Sequence, residues 1–67
     1  MNWDDLRIFL SVARQGGLTG AARALKIDPA TVGRRIAALE TRLDRALFAK
    51  SPQGYALTED GARLLPR

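Results

Sequence analysis

No cysteine and no histidine occur among the 67 residues of this chain. The missing thiols rule out a disulfide framework and a thiolate metal site. Without imidazoles, a zinc finger and any catalysis that uses histidine as acid or base are excluded as well. Aromatic side chains are scarce: two Phe, one Tyr and one Trp make up 6% of the chain. No apolar run approaches the ~20 residues that a membrane-spanning helix needs. The opening MNWDDLR carries acidic charge where a secretory leader would be basic and apolar. These absences lead to the expectation of a cytoplasmic protein with no cofactor and no membrane partner. An enzyme is not expected either. The titratable groups are carboxylates and cations scattered over helix surfaces, and so short a chain cannot enclose a large pocket.

What is present is apolar side chain, 46% of the residues, enough for one small domain near the lower limit of a self-sufficient core. The net charge is +4, and its distribution matters more than its size. From Arg23 to Lys50 there are seven basic residues against three acidic ones, while the rest of the chain holds four of each sign. All the surplus therefore sits in one segment, which points to a polyanionic partner.

Periodicity divides the chain into short elements. Asp4 to Gln15 reads as a first helix with Leu6, Phe9, Leu10 and Ala13 on its apolar face, Val12 and Trp3 at the margins, and Asp4 and Asp5 in the first turn. Trp3 is expected to cover the edge of the core, with a partner surface as the alternative. Gly16-Gly17 stops this helix, one of the pair taking a left-handed conformation. Thr19 is the expected cap of a second helix, Gly20 to Leu25, and Ile27 is expected to plug the core from the following turn. Asp28-Pro29 is a strong start signal for a third helix running to Leu43. The region from about 18 to 40 thus describes a helix-turn-helix. Beyond it, Ala46–Lys50 and Tyr55–Leu57 flank a Pro/Gly turn and read as a β-hairpin, with Leu47, Phe48 and Leu57 toward the core. Thr58 caps a fourth helix that carries Glu59 and Asp60 in its first turn.

The third helix has an unusual outer face. At about 100° per residue, Val32, Ile36, Leu39 and Leu43 share one apolar stripe. The opposite side carries Ala30, Arg34, Ala37, Ala38 and Thr41, with Gly33, Arg35 and Arg42 on the shoulders. A solvated face is ordinarily dominated by long Glu and Lys side chains. A slim, arginine-bearing face suits a DNA major groove, where guanidinium groups reach phosphates and base edges. It equally suits a helical protein–protein interaction module using the same alanine-lined basic face.

The order Leu6, Phe9, Val12, Gly16, Ala21-Ala22, Leu25, Val32, Arg34, Ile36, Leu39-Glu40, Leu43, Leu47-Phe48, Gly54, Leu57-Thr58, Gly61 resembles the N-terminal domain of LysR-type transcriptional regulators. The likeness runs from about Asp5 to Leu65, covering both the helix-turn-helix and the hairpin segment C-terminal to it. It implies a mainly α, winged helix-turn-helix of three core helices, a short hairpin wing and the start of a fourth, linker helix. Residues 1–58 would form the DNA-binding domain, with the wing at about 46–57, and 59–67 a truncated start of the linker. The implied function is sequence-specific binding of double-stranded DNA by a bacterial regulator, with Pro29–Leu43 as recognition helix. A homodimer or tetramer is implied for the full-length regulator, and a small-molecule inducer would act only through an effector domain absent from this chain. The fragment itself is expected to be monomeric or weakly dimeric.

Two departures narrow the inherited base code. The family run Ser-Gln-Pro-Ala-Leu/Val-Ser-Arg stands here as Asp28-Pro29-Ala30-Thr31-Val32-Gly33-Arg34. Pro29 replaces a glutamine and Gly33 a serine, so side-chain hydrogen bonding is lost at both places. Arg34 matches the family arginine and is the foremost candidate for a base or phosphate contact. Arg35 is a phosphate candidate, whereas Arg42 is either solvated or paired with nearby Glu40 or Asp44. Pro29 and Ala30 could meet a thymine methyl, and Thr31 either donates to a phosphate or packs beside Val32. In the wing, Lys50, Ser51 and Gln53 are backbone-contact candidates, their alternative being an ordinary polar hairpin tip.

Overall fold

Helix α1, Trp3–Gln15, starts where Asp4 and Asp5 meet the positive end of the helix dipole. It ends at Gly16, whose φ of 75° is left-handed. This computed structural model describes residues 3–52 and 54–65. The buried face of α1 is Asp5, Ile8, Phe9 and Val12, which corrects the stripe expected from hydropathy. Both stripes have i, i+3, i+4, i+7 spacing and share Phe9, but they lie one residue step, about 100°, apart. Leu6, Leu10 and Ala13 flank the core half-buried, while Val12 lies at its centre. Ile8, Phe9 and Val12 are as apolar as the expected stripe, and ion pairing makes the fourth place of this face tolerable for an acid. Arginines from α3 neutralise Asp5, so an acid occupies a place that hydropathy reserves for an apolar side chain. Trp3 does not cover the core edge; it is 72% exposed.

Helix α2, Leu18–Leu25, begins two residues before the expected start, with Gly17 rather than Thr19 at the cap position. No side chain caps it, so Thr19 does not have the role expected of it. Ala21 and Ala22 are buried, and their small size lets the neighbouring helices approach closely. The helix closes through Lys26 N–H on the Arg23 carbonyl and Ile27 N–H on the Ala22 carbonyl, a Schellman arrangement. Ile27 is 36% exposed and therefore contributes its backbone to the turn, not a plug to the core.

Helix α3, Pro29–Leu43, starts as the sequence implies. The Asp28 carboxylate accepts from Ala30 N–H at 2.9 Å, with Pro29 at the first position. Val32, Ile36 and Leu39 are buried. A second Schellman arrangement ends this helix, with Asp44 in the left-handed region at φ 54°.

The wing pairs β1, Phe48–Ser51, antiparallel with β2, Gly54–Leu57, in the register Phe48↔Leu57, Ala49↔Ala56, Lys50↔Tyr55 and Ser51↔Gly54. The first strand therefore begins two residues after the expected Ala46. Phe48 roots the wing in the core, its ring 5.4 Å from that of Phe9. Tyr55 N–H donates to the Gly16 carbonyl at 2.9 Å, tying β2 to the α1–α2 turn. At Gly54, φ is 135° and a Cβ would collide with that same carbonyl oxygen, so only glycine lets the wing lie this close. Helix α4, Glu59–Leu64, is capped by Thr58, whose hydroxyl accepts from Gly61 N–H at 3.0 Å and donates to the Ala46 carbonyl at 2.6 Å.

Candidate nucleic-acid interface

With its apolar stripe committed to the core, α3 presents three other surfaces. One flank, Gly33, Ala37 and Glu40, faces the wing across an open groove that Lys50 and Tyr55 line from the far side. The opposite flank carries Arg35 and Arg42 toward the start of α1. Between them runs an exposed ridge of Ala30, Arg34 and Thr41.

The groove gathers most of the residues singled out from the sequence. Pro29, Ala30, Gly33 and Arg34 line it from α3, and Lys50 lines it from β1. Pro29, Ala30, Arg34 and Lys50 are exposed, whereas Gly33 and Thr31 are half-buried. Gly33 also has a packing role, since a Cβ there would sit 3.2 Å from Leu18 Cδ1 where α2 crosses α3. Arg34 Nη2 donates to the Thr31 hydroxyl at 3.2 Å, so Thr31 is turned toward the arginine one helical turn on. Lys50 Nζ stands 5.9 Å from the Tyr55 ring centroid, within cation–π range. Ser51 is exposed, and its hydroxyl donates to the Gly54 carbonyl at 3.2 Å across the hairpin. Gln53 lies outside the described residues.

Ion pairing sorts the basic segment into two groups. Arg35 Nη2 lies 3.6 Å from Asp5 and 4.0 Å from Asp4, and Arg42 Nη1 lies 3.1 Å from Asp5. Arg42 is thus paired, but with an acid on α1 and not with Glu40 or Asp44. Arg45 reaches Asp60 at 3.7 Å. Among the described residues, Arg34 and Lys50 have no carboxylate in ion-pair reach, and both line the groove. Arg14, Arg23 and Lys26, on or beside α1 and α2, likewise form no ion pair among the described residues, but within α3 and the wing the uncompensated charge is that of Arg34 and Lys50, both on this groove.

Two residues that position this surface were not singled out from the sequence. The Glu40 carboxylate accepts from the N–H groups of Leu47 and Phe48 at 2.7 and 3.2 Å, fastening β1 to α3 and fixing the groove width. Asp5 is the other. Glu40 stands about 80° from Val32 on the helical wheel, at the edge of the apolar stripe; that position was the available signal for an acid with a buried role.

The family model for bacterial regulatory helix-turn-helix proteins of the lysR family matches residues 3–62. The HTH-type transcriptional regulator DmlR of Escherichia coli K12 is 39% identical over 61 residues, covering 91% of this chain and 20% of its own length. In the CbnR DNA-binding domain–DNA complex, the protein superposes with a TM-score of 0.92 at 32% identity, over 97% of this chain and 75% of that one. The BenM DNA-binding domain on benA site 1 DNA gives a TM-score of 0.89 at 28% identity, over 94% and 73% respectively. The chain spans about a fifth of the length of the curated relatives it matches. Among the described residues, no helix is long and apolar enough to cross a membrane.

Proposed function

The chain belongs to the LysR family of bacterial helix-turn-helix regulatory proteins, and from that premise we propose that it binds double-stranded DNA as the DNA-binding unit of a cytoplasmic transcriptional regulator. The observation that carries this reading is the pair of uncompensated cations, Arg34 and Lys50, on one groove beside a helix edge of proline, alanine and glycine. Small residues let the α3 backbone approach base edges, and the unpaired cations supply attraction to phosphates that the fold does not consume.

In this arrangement the first two turns of α3 enter the major groove. Arg34 makes the principal contact, bidentate to guanine or to a phosphate, while Pro29 and Ala30 offer apolar surface to a thymine methyl. Thr31 supports Arg34, and Gly33 leaves room for the duplex. Arg35 reaches a phosphate from the α1 side, and Lys50, Ser51 and Gln53 hold the backbone beside the wing. The regulator as a whole acts as a dimer or tetramer, with any inducer bound outside the 67 residues. Alone, this chain is monomeric at micromolar concentration, because the six-residue α4 is too short for stable helix pairing.

Titration of a random-sequence duplex at several salt concentrations tests the reading. Three cations on phosphates, at about 0.9 each, give a log–log slope steeper than about −2.5. A flat slope, or no binding at low salt, would instead assign the alanine-lined face to a protein partner.

A further inference from the structure

We propose that Asp5 is a positioning residue for DNA binding: its buried carboxylate holds the Arg35 guanidinium at the edge of the duplex-facing surface, ready to meet a phosphate. This rests on the duplex-binding function proposed above, and it gives a role in recognition to a residue of α1, outside the helix-turn-helix.

Burial is the first observation. Asp5 is 7% exposed, and a charge taken out of water persists only where other charges or hydrogen bonds compensate it. Two arginines of α3 contribute to that compensation. Oδ2 accepts a hydrogen bond from Arg42 Nη1 at 3.1 Å, while Oδ1 faces Arg35 Nη2 at 3.6 Å. Arg35 and Arg42 are seven residues apart, two helical turns, so both reach the same side of α1. Arg42 anchors the acid, and the acid in turn restrains Arg35.

Donor geometry is the second observation. The ion pairs of Arg35 with Asp4 and Asp5 both run through Nη2, and the Arg35 side chain is 42% exposed. A guanidinium has five N–H donors in a rigid fork. The Nε and Nη1 donors therefore stay available to a phosphate oxygen while Nη2 keeps its carboxylate partner. An arginine already restrained loses less rotamer freedom on contact than one moving freely in solvent.

Asp4 provides the contrast. It is 58% exposed, its nearer partner is Arg7 at 3.5 Å, and Arg35 lies 4.0 Å away, a loose, solvent-screened pair. Its charge repels phosphate without orienting the arginine. The two neighbouring acids thus have opposite effects. Removing charge at Asp4 strengthens duplex binding, whereas removing it at Asp5 frees Arg35 and weakens binding. Simple charge repulsion would strengthen binding in both cases.

The test is a double-mutant cycle on this chain, with Asp5→Asn, Arg35→Ala and the pair titrated against random-sequence duplex DNA. Folding of each variant is verified by its thermal transition. Asp5→Asn is expected to weaken binding about fivefold and lower the salt slope by up to about 0.9, with no further loss when Arg35 is already alanine. Stronger binding of Asp5→Asn, or an equal loss in the Arg35→Ala background, would overturn the assignment. If Asp5→Asn fails to fold, Arg35→Lys decides the matter. A held fork predicts a loss as large as that of Arg35→Ala, and wild-type affinity would refute it. Failure of the wild-type chain to bind any duplex would sink both this inference and the function beneath it. Duplex binding that is indifferent to Arg35→Ala would sink this inference alone.

Discussion

Replacing Glu40 by alanine is expected to loosen the wing before anything else. The carboxylate accepts two backbone N–H groups, at 2.7 Å from Leu47 and 3.2 Å from Phe48. Those residues are only 1% and 7% exposed, so neither amide has ready access to water in the native state. A hydrogen bond to a charged group contributes about 1.5–3 kcal/mol, and an orphaned buried donor loses about 1–3 kcal/mol. Because Glu40 itself is half-buried, water can partly replace it, and the combined loss is set at about 2–3 kcal/mol. A 67-residue domain has roughly 3–10 kcal/mol in total. The variant should therefore melt about 10–20 °C lower. Glu40→Gln keeps one neutral acceptor and should lose about 1 kcal/mol. Urea or thermal unfolding followed by circular dichroism measures both, and amide exchange at Leu47 and Phe48 localises the effect. A loss below about 0.5 kcal/mol for the alanine variant, with those amides still protected, would refute the clamp.

Asp44→Gly should stabilise the chain. The left-handed φ of 54° suits glycine, and an acid at a helix C-terminus opposes the dipole, so a gain of about 1 kcal/mol and a melting point several degrees higher are expected. A lower melting point would show that the Asp44 side chain has a structural role of its own. Gly54→Ala combines a φ of 135° with a collision against the Gly16 carbonyl. A loss of about 2 kcal/mol or more is expected in chemical unfolding, and a neutral result would mean that the wing does not sit against the α1–α2 turn. Sedimentation equilibrium at micromolar concentration should return the mass of one chain. A tight dimer would place an interface elsewhere, with exposed Trp3 on α1 the first residue to replace.

Most of the architecture was legible because local signals coincide with tertiary needs. Asp28-Pro29 starts α3 where the cap geometry requires it, Thr58 starts α4, and the four-three-four spacing of Val32, Ile36, Leu39 and Leu43 puts one face inward. Two of the failures share a cause, which is that a partner placed by the tertiary fold decided the outcome. Asp5 sits on the buried face of α1 because Arg35 and Arg42, 30 or more residues away, meet its charge there. Glu40 clamps backbone whose position depends on the hairpin. Ile27 departs from expectation locally, its N–H closing the turn on the Ala22 carbonyl while its side chain stays exposed. For the site, residue types and helical geometry placed Pro29, Ala30, Gly33 and Arg34 together, and the resemblance added Lys50. Which arginines the fold itself consumes could not be read in one dimension. Arg45 looks as free as Arg34 until α4 is packed beside it, and Arg42 pairs with Asp5 of α1 in place of the nearby Glu40 or Asp44.

The duplex-reading role proposed for α3 and the wing has Arg34 as its main contact. Its most direct test compares the wild-type chain with Arg34→Ala on a duplex selected for tight binding, at fixed salt. A loss of about 1–3 kcal/mol in affinity, with an unchanged melting temperature, is predicted. Unchanged affinity, or a loss that simply tracks lowered stability, would contradict it.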